Sequence, residues 1–255
     1  MPRKPLSIFD NLNKEELLEI VRNEAGDRVS DSLIVVANRI IDIPEYSCTI
    51  NIKTGEDVSD FMRKWTNKFI NGYNNRPSQR TSNPIGTQHD PILDEIISAR
   101  IHHTTDDLES IKYGHRLSMS AENIAGAFLE EYIAEELISQ GWHCCWGETM
   151  KSIDFCNVDG QLLQVKNSDN SENSSSKTVR DGTPIKHWFR RFSRTGGTNW
   201  NALNELVGID NEENHLNEES FKAFVREAVS NNPGSVFLEE ESPFYGNEED
   251  SNNES

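Results

Sequence analysis

The segment from Lys151 to Ser168 constrains the fold more than any other part of the chain. Two short stretches within it, Ser152–Phe155 and Leu162–Lys166, have the length and apolar content of strands. Between them, Asn157–Gly160 ends in an Asp-Gly pair, which is a strong signal for a tight hairpin turn. The sequence therefore predicts an antiparallel hairpin here.

The polar side chains of this hairpin predict a site. Because strand side chains alternate between faces, Leu163 and Val165 would enter the core, while Gln164 and Lys166 lie on the other face. Asp154 can lie on that same face. A carboxylate, an amide oxygen and an ammonium would then meet, which suits a bound Mg²⁺ and an attacking water. The spacing resembles the PD-(D/E)xK nuclease motif with Gln as its second acid; an ordinary surface hairpin remains the alternative.

The composition favours a globular protein with a sizeable core. The chain has 255 residues, 35% of them hydrophobic, with 5 Trp and 11 Phe, enough for one domain or a domain with an accessory lobe. No apolar run approaches the roughly 20 residues that span a bilayer, and the first residues lack the core of a signal peptide, so we expect a cytoplasmic protein with no membrane partner. The cysteine spacing suggests reduced, partly buried thiols instead of a zinc site or disulfides.

The charge is distributed unevenly. The net charge of −18 taken alone argues against nucleic acid, and the chain after residue 207 is strongly acidic. Residues 177–200, in contrast, contain a single acid and a group of bases. Because phosphate binding depends on the local field, this basic strip fits a polyanionic partner, although a solvated surface is the alternative. Its bases are Lys177, Arg180, Lys186, Arg190, Arg191 and Arg194.

Apolar periodicity and turn residues predict the remaining elements. The first 75 residues are expected to be mainly helical, with residues 76–91 as a loop or linker. Predicted helices are one that begins at Asn13 and others near Leu33–Ile43, Asp57–Asn71, Ile92–Ala99, Asp106–Tyr113 and Glu219–Val229, with a short strand at Thr49–Lys53. Residues 239–255 form an acidic tail that we expect to be disordered after Tyr245.

A longer amphipathic helix is predicted from Ser120 to Gln140, ended by Gly141. At about 100° per residue, Glu130 and Glu131 fall on opposite borders of its apolar stripe. Either acid could face the hairpin, or both could be solvated. An added carboxylate would compensate for the missing charge of Gln164 at a divalent metal.

The basic strip contains a further amphipathic pattern. Residues Ile185–Arg194 alternate apolar and basic side chains, which we interpret as a helix anchored by Trp188 and Phe192 with its bases outward. Arginine pairs bidentately with guanine. All six basic residues of the strip are therefore candidate contacts to the nucleobases or phosphates of DNA.

Several of these stretches resemble the SinI family of type II restriction endonucleases. The resemblance covers about residues 84–206 and is carried by Leu117–Asn123, Gly141-Trp142, Trp146–Asp154, Leu163–Lys166 and residues 171–176 (SENSSS). It implies cleavage of double-stranded DNA at a short interrupted palindrome of the GGWCC type, with a cognate methyltransferase that protects host DNA.

The expected fold class is α/β (α+β), a restriction-endonuclease-like core within residues 92–238 whose small mixed sheet is flanked by helices, with a DNA-reading region at 167–206. We expect Mg²⁺ held by Asp154, Gln164 and Glu130 or Glu131, Lys166 acting on water, and a homodimer that matches the symmetry of the site. Alternatives are a repair or RNA nuclease of the same fold, a non-catalytic DNA-binding module, and an acidic protein-interaction module.

Overall fold

A computed structural model describes residues 13–84, 86, 89–169, 184–209 and 216–245. The chain divides into two compact units, one of Met1–Arg76 with Leu129–Phe224, the other of Pro77–Phe128 with Val225–Ser255. In the described ranges no helix has the length and apolar character that a membrane span requires. The predicted disorder after Tyr245 falls on residues outside those ranges.

Three helices open the first unit, as the sequence predicted: α1 (Lys14–Ala25), α2 (Asp31–Asp42) and α3 (Val58–Asn74). Each begins at a side-chain cap, since Asn13, Ser30 and Asp57 accept hydrogen bonds from backbone N–H groups of their first turns, which satisfies donors that a helix cannot use internally.

Two local predictions in this part were wrong. The segment Thr49–Lys53 has no strand, because the adjacent pairing is a single β-bridge between Ser47 and Met150. Helix α3 also continues through Gly72, where the sequence predicted its end. A Cβ at Gly72 would lie 2.2 Å from the backbone nitrogen of Gly147. This glycine therefore permits a close approach of helix and loop instead of ending the helix.

A four-stranded mixed sheet follows, with strand order β1-β2-β3-β4. The pairs β1–β2 and β2–β3 are antiparallel, and β3–β4 is parallel. Together with the helices, this sheet confirms the predicted α/β fold class. The strands are β1 (Trp142–Cys144), β2 (Phe155–Asn157), β3 (Leu162–Ser168) and β4 (Ile185–Arg191).

Strand β4 corrects the predicted helix at Ile185–Arg194. Its residues pair in parallel register with β3, for example Val165 with Trp188. Parallel strands do not show a clean alternation of buried and exposed residues, and here the two buried residues, Ile185 and Trp188, are three apart. This spacing imitates a helical period, although the aromatic content is typical of a strand.

The helices of the first unit and the sheet share one hydrophobic core. Side chains of α1, α2 and α3 pack with residues from the segment that contains β2, β3 and the start of β4. The core members from the sheet side are Cys145, Met150, Ile153, Cys156, Leu162 and Ile185. All four cysteines, Cys48 included, are buried free thiols, as predicted in their reduced state.

Four more helices complete the described chain: α4 (Pro91–Arg100), α5 (Thr105–Leu137), α6 (Trp200–Val207) and α7 (Glu218–Asn231). Helix α5 joins two predicted helices into one, since Gly114 is tolerated inside it. A turn of 3-10 helix follows α5, and the helical segment ends at Gly141. The φ of Gly141 is 75°, the left-handed conformation expected for a glycine that ends a helix.

Candidate active site

A hairpin is present, but its first strand is Phe155–Asn157 instead of the predicted Ser152–Phe155. Ser152 has a left-handed φ of 58° and Asp154 lies in a bend, so neither continues the strand. Strands β2 and β3 pair antiparallel, with Phe155 opposite Leu163. Gly160 has a φ of 88°, which glycine adopts without strain. The Asn157 side chain accepts a hydrogen bond of 2.8 Å from the backbone N–H of Gln161. These local interactions fix the register of the two strands.

Asp154 is held at the start of β2. Its backbone N–H donates to the carbonyl of Leu163 at 2.9 Å, and its Oδ2 accepts from the backbone N–H of Val165 at 2.7 Å. Asp154 directly precedes Phe155, which pairs with Leu163, so these two hydrogen bonds connect Asp154 to both chain neighbours of Gln164. The orientation of this carboxylate is thus set by the backbone.

Gln164, which lies between the two residues that bond to Asp154, has a buried hydrogen-bond acceptor. Its Oε1 atom is shielded from solvent and has no hydrogen-bond partner among the described residues. An unpaired buried carbonyl costs free energy unless a water, ion or ligand group satisfies it. An amide oxygen beside a carboxylate is a donor set that suits a divalent cation such as Mg²⁺.

Glu130 lies within the electrostatic reach of Asp154. Burial, together with the negative charges of Asp154 and Glu148, raises the pKa of Glu130 to about 8. A carboxyl group whose pKa is raised by burial and by specific charged neighbours is a candidate functional group. Burial and the charges of Glu130 and Asp154 also raise the pKa of the Cys144 thiol, a buried residue of β1.

Glu131 has a different environment. Its side chain is 1% exposed and forms an ion pair with Arg76, whose Nε lies 3.0 Å from its Oε1. The Arg76 guanidinium also stacks over the ring of Tyr73, 4.6 Å from its centroid. Both charged residues line a largely apolar cavity of about 510 Å³. The carboxylate of Glu131 is therefore neutralised within the fold.

Lys166 completes the predicted hairpin set. It lies two residues after Gln164 in β3 and is partly buried, so the two side chains share a face. Leu163 and Val165 are buried on the other face, as predicted. Among the described residues, no three His, Cys, Asp or Glu side chains form a metal-binding group, so a cation here would depend on two carboxylates and the amide oxygen of Gln164.

The candidate DNA-binding bases divide into distinct groups. Arg190 pairs with Glu218 at 2.6 Å and lies over the ring of Phe221, contacts that tie β4 to α7. The Lys186 ammonium donates to the side chain of Gln161 at 3.1 Å. Arg191 and Arg194 are exposed at the end of β4 and in the loop after it. Lys177 and Arg180 lie outside the described residues.

One residue near the site was missed by sequence reasoning. Glu148 contributes to the raised pKa of Glu130 and has a left-handed backbone with a φ of 53°. Such a conformation is uncommon for glutamate. The signal in the sequence was the Trp146-Gly-Glu-Thr run, which was read only as part of a resemblance and not as a source of charge.

Comparison with known proteins first gives the class. The chain is similar to the type II restriction enzyme SinI of Salmonella infantis, 34% identical over 225 residues that make up 86% of this chain and 95% of that enzyme. It is also similar to the type II restriction enzyme Eco47I of Escherichia coli, 44% identical over 152 residues that cover 58% of this chain and 64% of Eco47I. The enzyme class is thus that of type II restriction endonucleases.

The family follows from a second comparison. The model of the SinI restriction endonuclease family matches residues 24–231. The chain belongs to this family, which confirms the resemblance found in its motifs. The match extends beyond the resembling stretch of residues 84–206 and includes most of the N-terminal helices.

Proposed function

We propose that the protein hydrolyses phosphodiester bonds of double-stranded DNA with Mg²⁺ held by Asp154, Glu130 and Gln164. The observation that carries the proposal is the buried Oε1 of Gln164, which has no partner among the described residues and belongs to the residue between Leu163 and Val165, both of which bond to Asp154. Type II restriction endonucleases generally use a divalent metal ion. Such an ion supplies Lewis-acid stabilisation of charge on the scissile phosphate.

The residues of the chain prepare the site before the cation binds. The hydrogen bond from Val165 orients the Asp154 carboxylate, so little side-chain entropy is lost on binding. Glu130, with its pKa raised to about 8, ionises more readily once a cation offsets the charge of Asp154. We favour Glu130 over Glu131 as the helix-borne acid, because Glu131 already has Arg76 as its partner.

We assign Lys166 to the attacking water and the phosphate. An ammonium on the same face of β3 as Gln164 can orient a water molecule and stabilise the negative charge that develops during attack. No residue of the set is required as a covalent nucleophile. The reaction is then a direct hydrolysis in which water attacks phosphorus and the leaving oxygen departs with the bonding electrons.

We further propose that the enzyme reads a short interrupted palindrome of the GGWCC type and acts beside a cognate methyltransferase. The recognition sequence rests on the family resemblance, which implies such a site. Among the described basic residues, the exposed Arg191 and Arg194 are our preferred DNA contacts. Lys177 and Arg180 remain candidates. Arg190 positions β4 through Glu218. A two-fold symmetric site is most simply cut by a homodimer.

The test is digestion of a sequenced plasmid by the purified protein with Mg²⁺, with an EDTA control and an Asp154→Ala control, followed by sequencing of the fragment ends. We expect discrete fragments that disappear in both controls, with ends that define one palindrome. Cleavage that persists in Asp154→Ala would contradict the assignment of the site. Absence of cleavage by the wild type would contradict the proposed function itself.

A further inference from the structure

Helix α4 carries an apolar face that the described chain leaves in solvent. Ile92, Leu93 and Ile96 are 55%, 43% and 60% exposed, and Ile101, just after the helix, is 44% exposed. No residue of α4 is buried. Contiguous apolar side chains exposed to this extent mark interaction sites in proteins.

The exposed apolar side chains Ile92, Leu93 and Ile96 lie on one side of the helix, with the half-buried Ile97 at its edge. At about 100° per residue, Ile92, Leu93, Ile96 and Ile97 span about 140° of its circumference, and Arg100 falls in the same arc at the C-terminal end. The N-terminal end carries Asp90, whose Oδ1 accepts a hydrogen bond of 3.0 Å from the backbone N–H of Ile92. We call the residues Ile92, Leu93, Ile96, Ile97 and Arg100 the α4 face.

We propose that the α4 face is the surface through which two copies of this chain dimerise. A two-fold axis that is perpendicular to α4 and passes between the two copies at mid-helix makes the two copies of α4 antiparallel. Isoleucine side chains then meet at the centre, and Arg100 of each copy comes opposite the Asp90 end of the other. The face is thus complementary to itself in both apolar character and charge.

This inference rests on the proposed function, in which each chain supplies one metal site and two DNA strands must be cut. It adds the surface, which the symmetry of the DNA does not specify. A specific interface buries about 800 Å² on each partner, and α4, a helix of 10 residues, is about 15 Å long. We therefore assign α4 to the apolar centre of the interface, with neighbouring residues forming the rim.

The first test is sedimentation equilibrium of the full-length protein without DNA. We expect the wild type to be a dimer and Ile96→Glu to weaken the dimer by about 100-fold or more, because the symmetry brings two carboxylates together in an apolar contact. Ser98→Glu adds the same charge on the opposite side of α4 and should leave the dimer unchanged. A monomeric wild type, or a dimer equally strong in Ile96→Glu, would overturn the proposal.

The second test is disulfide crosslinking, which the four buried native thiols leave clean. Ile96→Cys should form a covalent dimer in air-saturated buffer, whereas Ser98→Cys should not. Equal crosslinking of both variants would place the contact elsewhere.

Plasmid cleavage by the wild type separates this inference from the proposed function. Cleavage by a protein that sediments as a monomer would refute only the role of the α4 face. A dimer that depends on Ile96 but cuts no DNA would refute only the nuclease assignment.

Discussion

Two neighbouring acids of helix α5 lie in opposite surroundings. Glu131 is buried with an arginine partner at 3.0 Å, so its charge is compensated by the fold. Burial, together with the negative charges of Asp154 and Glu148, raises the pKa of Glu130 to about 8. The same residue type is therefore charge-compensated on one side of the helix and electrostatically disfavoured on the other, because the surroundings differ.

The sharpest way to break this comparison is to remove the charge at the hairpin. Asp154→Asn keeps the size of the side chain and an oxygen that can accept the N–H of Val165, so folding should be nearly unaffected. We expect DNA cleavage to fall by about 10³-fold or more, since a divalent cation supplies several kcal/mol of transition-state stabilisation. Cleavage rates and thermal denaturation of both proteins would test this, and near-normal cutting would reject the site.

The second prediction compares the two acids by stability. Glu131→Gln should lower the free energy of unfolding by about 3 kcal/mol, because it leaves the Arg76 guanidinium without its buried partner. Glu130→Gln should cost little or stabilise the metal-free protein, since it removes a carboxylate that the site disfavours. Urea denaturation in EDTA measures both, and equal losses would abolish the distinction.

The third prediction concerns pH. In the unfolded chain Glu130 titrates near 4.5, and in the folded chain near 8, so the folded state holds a proton that the unfolded state has released. The contribution of this group to stability should therefore fall as pH rises from about 4.5 to about 8 and level off above that. The free energies of unfolding of the metal-free wild type and of Glu130→Gln, measured by denaturation across this range, should differ by an amount that grows with pH. A constant difference would contradict the raised pKa.

The smallest effect is expected at Gln164. Gln164→Glu restores a second acid in the motif without a large change in size, so cleavage should persist with an altered preference between Mg²⁺ and Mn²⁺. Rates measured with each metal would show this. Gln164→Leu, which has no oxygen ligand, is the matched control, and equal activity of the two variants would exclude the amide as a ligand.

The hairpin turn and the second strand could be predicted because local rules decide them, although the first strand begins at Phe155 instead of Ser152. The Asp-Gly turn fixes the register, and the register fixes which side chains share a face. The choice between Glu130 and Glu131 could not be predicted, since helical periodicity placed both at equal angles from the apolar stripe. What distinguishes them is distant in sequence: Arg76, some 55 residues earlier, pairs with Glu131, and Asp154 and Glu148 act on Glu130.

The wrong predictions have the same origin in long-range contacts. The apolar residues of β4 have the spacing of a helix in the sequence, and only the pairing with β3 makes this segment a strand. Gly72 has the sequence context of a helix stop, but its role is steric. A Cβ atom at this position would lie 2.2 Å from the backbone nitrogen of Gly147. In both cases a tertiary neighbour overrode the local signal.

Helices α1, α2 and α3 share a hydrophobic core with residues of the sheet segment. This shared core limits where the polypeptide can be truncated. A shortened gene that starts after Asn74 would produce a polypeptide whose Met150, Ile153 and Leu162 face water, next to the hairpin that carries Asp154. Such a fragment should aggregate instead of acting as a minimal nuclease. Exchange of modules between relatives would have to carry the N-terminal helices and the Asp154 hairpin together.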